Sequence, residues 1–213
     1  MTNEIPKLEG ALSLALTSTD LQGLVAEYTE LGVDSFIQEG IARDIPIVNS
    51  LVAAVRLGVT VRDRQFAKKL LDFLAPVSKM PAEERRALIE KLENDPDYGR
   101  KVGEHLIEIL DRIETHRKPR MLARVLRAYG ADEIDATMFH QLVHAIEHLP
   151  AFAIPELRRF SYSNPPNLGA EVTTQLYFGM AGLAVPQTDW DGKTYDPTPV
   201  AEVFLRLELD RQE

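Results

Sequence analysis

Three histidines, His140, His144 and His148, stand at i, i+4 and i+8. That spacing lines side chains up along one side of a helix, where two neighbouring imidazoles can share a transition metal. The surrounding pattern argues against a built site. At about 100° per residue the stripe lies opposite Met138, Leu142, Ile146 and Leu149, so it is expected to face solvent. There is no HExxH motif and no acid on the same stripe, since Glu147 sits about 100° from His148. Adventitious surface binding of Zn²⁺ or Ni²⁺ fits better than an evolved metal centre. No metal site and no cofactor are expected.

A second candidate is the stretch Tyr129–Asp135, which has the outline of a helix-loop-helix calcium site. An EF-hand loop needs oxygen ligands at its first, third and fifth positions and glycine at its sixth. Counted from Asp132, the third position is Ile134 and the sixth is Thr137. Asp132 or Asp135 is therefore read as a helix cap. No cysteine is present, which removes thiolate nucleophiles, thiolate metal sites and disulfides. GxSxG, P-loop and GxGxxG motifs are also missing, and no pair of acids stands out by spacing. No catalytic residue is assigned.

Arg112, Arg117, Lys118, Arg120, Arg124 and Arg127 cluster within 16 positions, opposed by Asp111 and Glu114. Arg117, Lys118, Arg120, Arg124 and Arg127 form a candidate contact patch for an acidic partner or a phosphate backbone. No aromatic residue is interleaved to stack bases. Cations at a helix C-terminus also answer its dipole, so a solvated helix corner is the preferred reading.

The elements that would position these residues read as mainly helical. The 213 residues are 45% apolar and 27% charged, the composition of a globular chain. Phe66, Leu70, Phe73, Leu74 and Val77 repeat at helical spacing, interrupted by Pro76 and Pro81. Pro81 with Glu83 and Glu84 suits the first turn of a helix that presents Leu88, Ile89 and Leu92 and ends near Asn94. Asp95-Pro96 opens the next, with Val102, Leu106, Ile109, Leu110 and Ile113 on its buried face. His116–Pro119 is read as its stop. Met121, Leu122, Val125 and Leu126 mark another helix closed by Gly130, and Ile134 to Leu149 a further one ended by Pro150. Short connections predict antiparallel packing of successive helices.

Beyond Pro150 the composition changes. Ser161–Pro166 is a turn-rich break, and Asn167 can cap a helix bearing Leu168, Val172, Leu176 and Met180, ended by Gly182. Two short strands follow, around Leu183–Val185 and Thr194-Tyr195, with Asp191-Gly192 expected at the centre of a type I′ turn. Thr198-Pro199 opens a last helix. The stretch GLAV…DGKTYDPTPVAEVFLRLEL, within residues 167–209, resembles the C-terminal part of a winged-helix domain. That resemblance implies DNA binding through the helix before the hairpin. The charge opposes it: the helix from Asn167 to Gly182 carries no Lys or Arg. From Ala151 to Glu213 five basic residues face nine acidic ones, a local −4 within a chain of net −9. Contact with a protein is expected instead. Trp190, the sole tryptophan, and Tyr195 are its candidate partner-binding residues.

The longest apolar stretch, Ile45–Val61, contains Pro46, Asn49, Ser50, Arg56 and Gly58. A spanning helix wants about 20 mostly apolar residues, so this is read as a buried helix. The acidic, polar start Met1–Glu4 is unlike a secretory signal, and a cytoplasmic location is expected. The fold class is thus mainly α, with a multi-helix bundle over residues 1–150 and a winged-helix-like unit with one β-hairpin over 151–213. The favoured function is a non-enzymatic cytosolic interaction or regulatory module, of bacterial type, acting through its C-terminal unit. The runner-up is a membrane-active effector of a defence or toxin system that deploys Ile45–Val61. The third reading is an enzyme whose site is assembled from distant residues.

Overall fold

The computed structural model describes residues 12–23, 25–26, 61–94, 102–114, 117–162, 170–189 and 192–211. Asp95-Pro96, Asn167, Leu168, Trp190, Asp191 and, apart from Val61, the Ile45–Val61 stretch lie outside the described residues. The chain is mainly helical with one two-stranded antiparallel hairpin, and it divides into compact units Met1–Ala131 and Asp132–Glu213. The sequence reading put the boundary at Pro150. Helix Ala136–His148 groups instead with the C-terminal elements, because the last helix of the chain packs on it.

In the first unit, after helical residues 12–17, come α1 (Val61–Ser78), α2 (Ala82–Glu93), α3 (Val102–Arg112) and α4 (Arg117–Gly130). The expected apolar faces are buried: Leu70, Phe73, Leu74 and Val77; Leu88, Ile89 and Leu92; Val102, Leu106, Ile109, Leu110 and Ile113. The heaviest helix packing joins α1 to α4, two helices apart, rather than successive neighbours. The reason is α4 itself, which buries Met121, Leu122, Val125 and Leu126 and also Lys118, Ala123, Ala128 and Tyr129. A helix buried on several sides takes several partners.

Two helix ends differ from expectation. Pro76 lies inside α1, where the lost bond to Asp72 falls in the last turn, and Lys79 and Met80 close the end onto Pro76 O (3.3 Å) and Val77 O (3.0 Å). Arg117–Pro119 begins α4 rather than ending α3, because a proline in a first turn removes a donor that had no intrahelical acceptor.

Charged side chains tie this unit together. The buried Arg85 guanidinium donates from Nε to Leu16 O (2.7 Å) and from its other nitrogens to Met80 O and Ser18 O. Burial, with Arg86 alongside, pushes its pKa below the ordinary arginine value. Arg120 reaches the buried carboxylate of Asp72 at 3.0 Å. Lys91 donates to Tyr129 O (2.6 Å) and lies 4.0 Å from the centroid of that residue's ring.

The second unit contains α5 (Ala136–His148), α6 (Ile154–Tyr162), α7 (Val172–Met180), β1 (Ala184–Asp189), β2 (Gly192–Pro197) and α8 (Pro199–Arg206). Asp135 caps α5, its side chain accepting from Met138 N at 2.8 Å. Asp132, with φ 56°, takes the left-handed conformation in the turn before it. Phe139, Leu142, Ile146, Leu157, Phe160, Phe178 and Phe204 are all fully buried. Helix α8 packs on α5, α6 and β2, while β1 packs on α7. Arg158 grips Asp210 through two bonds of 2.6 and 2.8 Å, which raises the Arg158 pKa.

The hairpin is closed at its base. Thr198 N donates to Leu183 O (3.0 Å), its hydroxyl donates to Gly182 O (2.8 Å), and the same oxygen accepts from Ala201 N at the start of α8. Gly182, at φ 72°, makes the turn out of α7 that a side chain would strain. Asp189 pairs with Gly192, so the connection is residues 190–191 and Gly192 belongs to β2. The expected centre, Asp191-Gly192, is therefore displaced by one residue. Register decides which face each side chain takes, and this one brings Tyr195 onto α7.

Candidate interaction surface

Helix α7 carries an apolar series whose direction is the opposite of a core stripe. Its buried side is Gln175 and Phe178. Phe178 packs on Phe160 with the rings tilted and their centroids 5.0 Å apart, and Gln175 Nε2 donates to Ala170 O at 2.8 Å. Gly179 leaves room for Tyr195, whose ring would come within 3.1 Å of a β-carbon built there. These contacts fix the rotation of the helix. The series Val172, Leu176 and Met180 then points outward, 67, 46 and 71% exposed, beside Tyr177 at 36%. Phe152, in the α5–α6 connection and 64% exposed, meets Tyr177 edge-on at 5.4 Å. An open groove beside this face runs between α6 and α7. Sequence reasoning placed no contact residue here, although the i, i+4, i+8 repeat that defines the face was visible.

The sequence candidates are arranged differently. Tyr195 is half-buried against Gly179, so part of its ring serves the unit's own packing. Trp190 lies outside the described residues. In the basic patch Lys118 is buried, Arg120 is engaged with Asp72, and Arg112 approaches Glu108 at 3.8 Å. Arg127 is exposed, and Arg117 and Arg124 are half-buried. Lys118 is thus closed to a partner, while Arg120 and Arg127 reach solvent.

His144 and His148 are exposed, as the sequence implied, whereas His140 is half-buried with its ring edge-on to Phe139 at 5.5 Å. The exposed pair stacks with centroids 4.0 Å apart. His148 Nδ1 lies 2.9 Å from His144 O, and His144 Nε2 lies 3.3 Å from Met180 O. A carbonyl oxygen only accepts, so each of these nitrogens is the donor. Among the described residues no group of three or more His, Asp or Glu side chains could hold a metal. No helix among them is long and apolar enough to cross a membrane. The chain matches no protein-family model, no curated protein and no solved structure.

Proposed function

We propose that this protein is a non-enzymatic interaction module that binds another protein through its second unit, with the outer face of α7 as the contact. The observation that carries this reading is the clustering of Val172, Leu176, Tyr177, Met180 and Phe152 in the open. Isolated exposed apolar side chains are ordinary, but a contiguous group of them marks an interaction surface. The winged-helix resemblance casts this same helix as the presented one. Its lack of Lys and Arg favours a protein over duplex DNA. A cytoplasmic regulatory role goes with that reading, and Trp190 and Tyr195 extend the contact onto the hairpin.

The test is site-specific photo-crosslinking in cells, with a photo-reactive residue at position 176 and, as control, at 127. A defined protein partner should crosslink from 176 only, and Met180→Glu should abolish it while the circular dichroism spectrum is unchanged. A 176 probe that captures nothing removes the reading. Binding to mixed-sequence duplex DNA should be no tighter than about 10 μM at about 150 mM salt, the weak end of non-specific association. Sub-micromolar DNA affinity would reverse the preference.

A further inference from the structure

Resting on that docking face, we infer that its occupant is a cationic amphipathic helix of a different protein, with apolar side chains against Val172, Leu176 and Met180 and Lys or Arg along the edge that overlies the groove between α6 and α7. The charge of the chain is unevenly placed. Residues 132–213 hold thirteen acidic and five basic residues, a local −8, while residues 1–131 hold twenty and nineteen, a local −1. Nearly all of the net −9 therefore sits in the unit that bears the apolar face.

The groove repeats this at close range. Beside the apolar face the groove is lined by Phe152 and Tyr177 and by two acids, Glu156 and Glu171, against one base, Arg159. Helix α7 is nine residues, or about 13 Å, long, which matches two or three anchors at i, i+4 and i+7 on an opposing helix.

Charge then sorts the occupants. An anionic lipid surface or a nucleic acid would meet a local −8 with nothing cationic on α7 to offset it. A second copy of the chain would bring two net-acidic units together, where like charges act as a barrier to pairing. A basic helix gains from the same field, both in encounter rate and in discrimination against other apolar helices.

The experiment titrates the full chain with two synthetic helical peptides of about 18 residues, one built of Leu and Lys and one of Leu and Glu in the same pattern. The Leu/Lys peptide should bind at least about tenfold more tightly than Leu/Glu, and Leu176→Ser with Met180→Ser should weaken it at least about tenfold while leaving the circular dichroism spectrum intact. Raising the salt from about 0.05 to 0.5 M should weaken Leu/Lys binding.

Equal binding of both peptides overturns the cationic occupant and leaves the docking face standing. Leu/Lys binding that ignores the double substitution overturns it too, since the attraction is then diffuse charge away from α7. Failure of both peptides to bind overturns it as well, and the crosslinking experiment then decides the docking face separately. Two further arms use wild type and double variant: phosphatidylserine-containing vesicles, and sedimentation of the protein alone. Vesicle binding or dimerisation that the double substitution removes would hand the face to lipid or to a second copy, overturning the inference.

Discussion

The two units differ in where they leave their large apolar side chains. In Met1–Ala131 charged side chains turn inward and serve the fold: Arg85 gathers three backbone carbonyls, Asp72 takes Arg120, and Lys91 covers Tyr129. Of its described large apolar side chains only Leu14 is exposed. In Asp132–Glu213 Arg158 likewise grips the nearly buried carboxylate of Asp210, yet Phe152, Tyr162, Val172, Leu176, Tyr177, Met180 and Val185 are left open in a strongly acidic unit. A buried cation with every partner in place serves stability; an apolar side chain left in water serves something else. The comparison separates a unit that buries nearly all of its described large apolar side chains from one that leaves several of them open.

The largest effect that would sharpen this contrast is in the second unit's core. Phe204→Ala removes a fully buried ring and should cost about 3–5 kcal/mol, seen as a lower denaturation midpoint with hydrogen-exchange protection lost over residues 132–211. If protection over residues 61–94 falls equally, the units do not unfold separately and the comparison weakens. Next in size is Arg85→Leu, which leaves the carbonyls of Leu16, Ser18 and Met80 without their donor. A loss of about 1–3 kcal/mol is expected by urea denaturation, and an unchanged midpoint would show that the inward-turned charge is ornamental. Asp135→Ala deletes the α5 cap and should cost about 1 kcal/mol, with Asp135→Asn retaining most of it. The smallest effect is also the most diagnostic. Leu176→Ser and Met180→Ser should each shift stability by less than about 0.5 kcal/mol, because both side chains are already in water. A larger loss would mean that the outer face of α7 belongs to the fold.

Much of the fold was legible because periodicity reports which residues share a helix face. Leu88, Ile89 and Leu92 were read as one buried stripe and are one. Periodicity does not say which way a face turns. Val172, Leu176 and Met180 share a face as read, yet Phe178 on Phe160 and Tyr195 against Gly179 turn that face out. These are contacts between residues distant in sequence, which no local window contains. Helix α6 was missed, although Pro155 in its first turn and the spacing of Ile154, Leu157 and Phe160 signalled it. The turn misreading has the same origin. Asp-Gly is a strong local signal, but the pairing of Asp189 with Gly192 follows from what the two strands pack on. The exposure of His144 and His148 was legible, whereas the half-burial of His140 against Phe139 and the stacking of the other two depend on packing and rotamers.

The clasp at Thr198 makes the hairpin a detour: the chain leaves at Leu183 and is back at the same place before α8 begins. What happens to chain length beyond that clasp is felt little by the residues below it. Doubling the length of such a closed excursion costs only about 0.6 kcal/mol in loop entropy. Added length beyond the clasp, such as a grafted peptide epitope, should therefore leave the helices on either side of it undisturbed.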